Sequence, residues 1–175
     1  VRVVRVTIHQ PEHLPWLGFF DKAAQADIFV LLDTVQFRKN YFQNRNRIKG
    51  TDHPVWLTLP VRKPVHVPIL EIRVVGGRKA RSKVLNQIRV CCEQAPYFDN
   101  YVHGLEQILM TDSDVLSEIN TELIRFALDA LGIKTELVIA SSLDLPPAQG
   151  GTEVNLSLSR HLGASTYLSG ISGRE

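Results

Sequence analysis

Two histidines near the start of the chain and one aspartate after them are the residues best suited to chemistry. His9 and His13 lie four residues apart in a loop with two prolines. Because histidine titrates near neutral pH, either could serve as a general acid or base, or bind a ligand without catalysing. Asp33 ends an apolar segment, where it could orient a histidine, bind a substrate hydroxyl or amine, or hold a loop by hydrogen bonds. We predict His9, His13 and Asp33 as catalytic residues.

The same three residues could also be read as metal ligands, with Asp33 as the third ligand beside the histidine pair. The pair lies in a proline-containing loop and not on a helix face, so we favour acid–base chemistry and predict no metal site. The sequence has neither a P-loop nor a dinucleotide-binding fingerprint, and it therefore identifies no cofactor.

A second polar group is suited to binding an anion. Residues 36–50 contain five basic residues, no acidic residue and three aromatic ones. This mixture suits phosphate neutralisation combined with amide hydrogen bonding and stacking, although an exposed basic hairpin without a ligand would look the same. The predicted substrate-binding residues are Gln10, Trp16, Gln36, Lys39, Gln43, Asn44, Arg45, Asn46, Ser141 and Ser169.

Strands and helices must bring these residues together. Residues 3–8 and 28–32 are apolar runs typical of buried strands, and residues 16–26 between them have the apolar spacing of a helix. Such a βαβ unit favours a parallel sheet. Residues 136–140 and 166–168 predict two more strands, and the apolar spacing within 84–95, 98–108, 116–130 and 154–162 predicts four further helices.

The predicted fold is therefore α/β, with a mostly parallel sheet and flanking helices in a nucleotidyltransferase or Rossmann-like topology. Residues 44–75 predict a β-rich basic insertion with strands at 44–48, 55–59 and 69–75. Ligands of open parallel sheets bind beyond the carboxyl ends of the strands. The predicted strands lead into His9, Asp33, Ser141 and Ser169, with Ser172 just beyond, so we expect these polar side chains at one edge.

The length of 175 residues fits a single domain, residues 1–175. The sequence stops soon after a Ser-Gly-x-Ser-Gly turn, which suggests a missing C-terminal piece. No apolar run reaches about 18 residues, so we predict no membrane span. The only cysteines, Cys91 and Cys92, are adjacent and cannot form an ordinary bridge to each other, which favours a reducing, cytoplasmic location.

Charge is distributed unevenly along the chain. Residues 36–89 contain thirteen Lys and Arg residues against Asp52 and Glu71, a net charge of +11, whereas residues 90–175 carry −8. This segregation favours an anionic partner near the basic segment, unless the two halves neutralise each other in the fold. Lys22, outside the basic segment, is expected to be solvated.

Several ordered stretches resemble the WbqC-like family over nearly the whole chain. They include His9-Gln10-Pro11, residues 14–22, Val35-Gln36-Phe37, Gln43-Asn44-Arg45-Asn46 and Tyr167-Leu168-Ser169-Gly170. The resemblance implies a bacterial cytoplasmic protein, often encoded among surface-polysaccharide or O-antigen biosynthesis functions. It also implies that members continue past the Ser-Gly-x-Ser-Gly turn, in which case this chain lacks part of the site.

A looser likeness is to nucleotidyltransferases, but residues 13–16 lack the glycine and second histidine of their His-x-Gly-His motif. We therefore predict a biosynthetic transferase that acts on a sugar nucleotide or another anionic sugar precursor. A non-catalytic ligand-binding or partner protein of the same pathway is the first alternative. A single-stranded nucleic-acid-binding protein is the second, although nucleic acid is not the expected partner. The oligomeric state is left open.

Overall fold

The computed structural model describes residues 3–62, 66–145 and 150–170. In chain order the elements are β1 (Arg5–His9), α1 (Leu17–Ala24), β2 (Ile28–Leu31), β3 (Arg45–Ile48), β4 (Val55–Thr58), α2 (Gly77–Cys92), α3 (Phe98–Leu109), α4 (Leu116–Ala130), β5 (Glu136–Ile139), α5 (Gly151–His161) and β6 (Thr166–Leu168).

Four of the strands form one parallel sheet in the order β5-β2-β1-β6. Val6 pairs with Ile28 and His9 with Leu31, so β1 and β2 lie side by side and point the same way. β5 and β6 are also parallel to their neighbours. The predicted α/β fold with a parallel sheet is thus confirmed.

The two central strands are apolar because both faces of the sheet are covered. On one face, Phe29 and Leu31 of β2 pack with Phe19 and Phe20 of α1 and with Leu128 of α4. On the other face, Val6 and Ile8 of β1 pack with Val30 of β2 and Leu158 of α5. This packing fixes the sheet and leaves its carboxyl edge for polar side chains.

The insertion forms an antiparallel hairpin of β3 and β4, with Arg45 opposite Thr58 and Arg47 opposite Trp56. The predicted strand at 69–75 is wrong. Residues Ile69–Glu71 form a short 3₁₀ helix, and single bridges join Val74 to Val61 and Arg73 to Val115. Pro68 precedes this turn, and the backbone N–H groups of Ile69 and Leu70 donate to carbonyl groups just after β2 instead of to a strand.

The insertion packs on the helices through a separate apolar core. Leu57 and Leu59, in and just after β4, and Ile69 are fully buried against Val84 of α2 and Ile119 of α4. The hairpin is therefore held beside α2 and α4. Within the described ranges, no helix combines the length and the apolar character needed to cross a membrane.

Candidate functional site

The carboxyl edge of the sheet collects the polar residues expected there. β1 ends at His9, Asp33 follows β2, and Ser141 and Ser169 follow β5 and β6. Because all four strands are parallel, these positions share one edge. Ser172, also expected here, lies outside the described residues.

His9 presents one ring nitrogen to the surroundings. Its Nδ1 lies 3.1 Å from the carbonyl oxygen of Gln10, which can only accept, so Nδ1 carries the proton. Nε2 then holds a lone pair, and it makes no hydrogen bond with any described residue. Phe19 contacts the ring edge-on at 5.0 Å between centroids, and the side chain is 32% exposed. Burial lowers the pKa of His9, with a smaller lowering from the charge of Lys22, so the neutral, proton-accepting form is favoured at pH 7.

Glu12 is a functional candidate that was missed in the sequence. Its Oε1 lies 4.0 Å from His9 Nδ1, and its side chain is only 4% exposed. Oε2 is buried and has no hydrogen-bond partner among the described residues. Burial raises the pKa of Glu12 to about 7. The available signal was a carboxylate three residues after a histidine that ends a strand.

Lys22 joins this group, because its side chain is partly buried where full solvation was expected. Its Nζ donates to the carbonyl oxygen of Ile8 at 2.9 Å, at the end of β1. A Cβ added to Gly170 would lie 4.0 Å from Nζ, so the ammonium group borders the end of β6. Burial lowers the pKa of Lys22. His9, Glu12 and Lys22 thus form a cluster of three titratable groups, hereafter the β1 cluster.

His13 lies inside the protein and not at the edge. It is fully buried, and its Nδ1 lies 3.2 Å from Asn120 Oδ1. The Asn120 amide nitrogen donates to the carbonyl oxygens of Pro11 at 3.2 Å and Gln43 at 2.7 Å, which fixes the amide orientation. His13 Nδ1 must therefore donate, and Nε2 is buried without a partner among the described residues. Burial lowers the pKa of His13 to about 4, so it is neutral at pH 7. Its predicted catalytic role stays a prediction.

Asp33 accepts hydrogen bonds from the loop after β5 and makes none with a described histidine. Its Oδ1 accepts from the Ser141 backbone N–H at 3.0 Å, and its Oδ2 accepts from the Ser141 hydroxyl at 2.6 Å. These bonds connect the ends of β2 and β5. Both residues line an open cavity of about 740 Å³ between this edge and α4.

The predicted amide residues are mostly buried and bonded within the protein. Gln43 Nε2 donates to Gln10 Oε1 at 2.6 Å, and Gln43 Oε1 accepts from the Arg38 N–H at 2.7 Å. Asn44 and Asn46 donate to the carbonyl oxygens of Leu59 and Leu14, at 2.9 and 2.8 Å. Gln43 and Asn46 thus attach β3 and the segment before it to the loop after β1, whereas Asn44 bonds within the insertion.

The basic residues in and next to the hairpin have no acidic partner among the described residues, although Arg45 Nη2 donates to the Asn40 carbonyl oxygen at 2.6 Å. Lys39, Arg45 and Arg62 line a cavity of about 210 Å³ that contains no acidic residue. The Arg45 guanidinium lies 4.4 Å from the centroid of the Trp56 ring, and that of Arg47 lies 5.3 Å from it. Within the described part of the chain, none of these four cations pairs with a carboxylate.

Basic residues further along the chain behave differently. Arg73 pairs with Asp114 at 2.9 Å, Arg78 with Asp112 at 2.8 Å and Arg89 with Glu106 at 2.9 Å. The expected neutralisation between the two halves of the chain therefore occurs around α2, while the hairpin keeps its positive charge.

The remaining predicted residues lie at the periphery. Trp16 is exposed and lines a groove with residues 46–54. Gln36 Nε2 lies 3.1 Å from His66 Nδ1, and the Ser169 hydroxyl donates to the Gly170 carbonyl at 3.2 Å. Across the described ranges, no three His, Cys, Asp or Glu side chains come together as a metal site would require.

Comparison with known proteins decides the family. The model of the WbqC-like protein family matches residues 10–175, nearly the whole chain. The chain belongs to the WbqC-like protein family. An uncharacterised protein of Mycobacterium tuberculosis (strain ATCC 25618 / H37Rv), Rv1507c, is similar to this WbqC-like chain, with 32% identity over 173 residues. These residues make up 97% of this chain and 74% of the mycobacterial protein.

Proposed function

We propose that this WbqC-like protein is a cytoplasmic biosynthetic transferase of bacterial surface-polysaccharide or O-antigen assembly. Its substrate would be a sugar nucleotide or another anionic sugar precursor. The β1 cluster carries the proposal, because Glu12 lies 4.0 Å from His9 and Lys22 bonds to the Ile8 carbonyl, both at the carboxyl end of a central parallel strand. Groups displaced from their ordinary pKa values at such an edge are typical of functional sites.

The cluster supports general base catalysis by His9. Its Nε2 accepts the proton of an acceptor hydroxyl while that oxygen forms a bond to the transferred group. The leaving group departs with its electron pair as an anion. Nδ1 keeps its proton and donates a hydrogen bond to the Gln10 carbonyl oxygen. The Glu12 carboxylate, 4.0 Å from Nδ1, stabilises the imidazolium that forms.

The anionic character of the substrate is supported by two sets of cations. Lys22, at the ends of β1 and β6, is placed to neutralise the departing group. The unpaired cations of the hairpin raise the local potential and favour a phosphate nearby.

The test incubates the protein with a panel of sugar nucleotides and candidate acceptors and follows products by mass spectrometry. We expect one sugar nucleotide to be consumed, and His9→Gln to lower its turnover by about 100-fold or more. His161→Gln, at an exposed histidine that ends α5, is the matched control and should retain full activity. Full turnover by His9→Gln would remove His9 from the mechanism.

A non-catalytic binding protein of the same pathway is the first alternative, and the same panel separates it from an enzyme. Micromolar binding of a sugar nucleotide without any product would favour it. In that case the cations of the hairpin should govern affinity, and His9→Gln should leave affinity unchanged.

The contacts of Trp56 favour a second candidate function, the binding of single-stranded nucleic acid. Two guanidinium groups lie on its ring, and the exposed Tyr41 is close to Arg38, at 5.9 Å. Basic and aromatic side chains of this kind can bind a backbone and stack bases. This function predicts affinity for an oligonucleotide that falls steeply with salt. Absent or salt-insensitive binding would eliminate it.

A further inference from the structure

The cavity at the ends of β2 and β5 has a composition different from the rest of the edge. Its volume of about 740 Å³ is in the usual size range of small-molecule sites. Asp33, Ser141 and Ser142 form the sheet side, and Ser117 and Thr121 of α4 face them. The cavity is therefore lined by hydroxyl groups on two sides.

Two of these hydroxyls are left without partners inside the protein. Ser117 and Thr121 are only 6% and 5% exposed, and neither hydroxyl bonds to another described residue. Neither oxygen is sealed off inside the protein, so both reach the cavity that these residues line. Serine and threonine within a helix commonly bond back to a carbonyl of the preceding turn, and buried hydroxyls normally have a partner. Being four residues apart, the two lie on one face of α4. They are available to a ligand that offers several hydroxyl groups.

The charged side chains that line the cavity are all acidic. They are Asp33, Glu118 and Glu122, and the lining contains no Lys, Arg or His. Asp33 is occupied by Ser141, and Glu118 accepts a hydrogen bond from the Ser113 hydroxyl. Glu122 lies 3.7 Å from Arg125, which is outside the lining. The net potential favours a cation, in contrast to Lys22 and the hairpin.

We propose that this cavity binds a polyhydroxylated ligand that carries a protonated amine, such as an amino sugar. Its hydroxyls meet Ser117, Thr121 and the serines after β5, and its ammonium group faces Glu118 and Glu122. This ligand would be the acceptor of the proposed transferase, the molecule whose hydroxyl reacts. That assignment rests on the proposed function, whereas the binding of the ligand does not. Binding itself can be measured without any turnover.

The test is an NMR titration of the whole protein at pH 6.5 with glucosamine, N-acetylglucosamine and glucuronate. Glucosamine should bind about fivefold more tightly than either other sugar. Glu118→Gln/Glu122→Gln should abolish that preference, and Thr121→Val should weaken both glucosamine and N-acetylglucosamine. Asp129→Asn, an exposed carboxylate on the same helix outside the cavity, is the control and should change nothing.

Several results would overturn the proposal. They are tighter binding of glucuronate, no measurable binding of glucosamine, or an unchanged preference in the double glutamine variant. The comparison of the three sugars on the unmodified protein stands even if a variant folds poorly. In the unmodified protein, binding of the amino sugar without turnover of any sugar nucleotide would contradict the proposed transferase alone, and turnover without amino-sugar binding would contradict only this inference.

Discussion

Glu12 and His13 are adjacent residues whose neutral forms are both favoured by burial, with opposite consequences for stability. The pKa of Glu12 is raised to about 7, so its contribution is present at low pH and is lost as the pH rises towards 7. The pKa of His13 is lowered to about 4, so its contribution is lost as the pH falls from about 6.5 towards 4. Between these limits the two effects oppose each other.

Replacing Glu12 should separate the two effects. Because Gln does not ionise, Glu12→Gln should gain stability relative to the unmodified protein by about 2 kcal/mol between pH 5 and pH 8. Urea denaturation at the two pH values measures this difference. Glu136→Gln, at an exposed carboxylate that begins β5, should show almost none. An equal difference in both variants would mean that Glu12 is not the buried acid.

At the scale of elements, one buried side chain holds three segments together. Asn120 of α4 bonds to His13 and Pro11 in the loop after β1 and to Gln43 in the segment before β3. The loop that follows His9 is thereby attached to α4 and, through Asn120, to the segment before β3. The position of Glu12, between Pro11 and His13, depends on this arrangement.

Asn120→Ala should therefore be strongly destabilising. It leaves the carbonyl groups of Pro11 and Gln43 and the His13 Nδ1–H without partners, and we expect a loss of about 3 kcal/mol in the free energy of unfolding. Thermal and urea unfolding measure the loss. Asn100→Ala, at an exposed position of α3, should stay within about 0.5 kcal/mol of the unmodified protein. A similar small change at Asn120 would contradict the proposed anchoring role.

For the whole molecule, the decisive property is where charge is neutralised. Arg73, Arg78 and Arg89 pair with carboxylates of the acidic half, but these pairs are exposed and contribute little stability. Arg45 and Arg47 of the hairpin instead lie on Trp56 and have no acidic partner within the described ranges. A modest net charge of +2 thus conceals both a basic face on the hairpin and an acidic cavity at the sheet edge.

Two double variants that each remove two positive charges test this arrangement. Lys39→Gln/Arg47→Gln should elute from a heparin column at a salt concentration lower by about 50 mM, because it removes two cations of the basic face. Arg73→Gln/Arg78→Gln should shift elution much less, since both of its arginines are paired with aspartates. Equal shifts would show that retention follows net charge and not the hairpin face.

The sequence by itself determined the parallel sheet, the βαβ start and the edge at which polar side chains gather. Apolar β-branched runs and strand–helix alternation are local patterns, and parallel strands necessarily end at one edge. It did not predict the turn at Ile69–Glu71, where backbone groups bond to residues far back in the chain. The apolar pattern of residues 69–75 resembles that of a strand, so only tertiary contacts could distinguish the turn from a strand.

Only the tertiary structure decided which polar residues face outward. His9 and His13 look equivalent in the sequence, but His13 is buried on Asn120, 107 residues away, while His9 remains at the edge. Glu12 and Lys22 became functional candidates because of their burial, which raises the pKa of Glu12 and lowers the pKa of Lys22. Burial depends on how distant segments pack, and spacing along the chain carries no information about it.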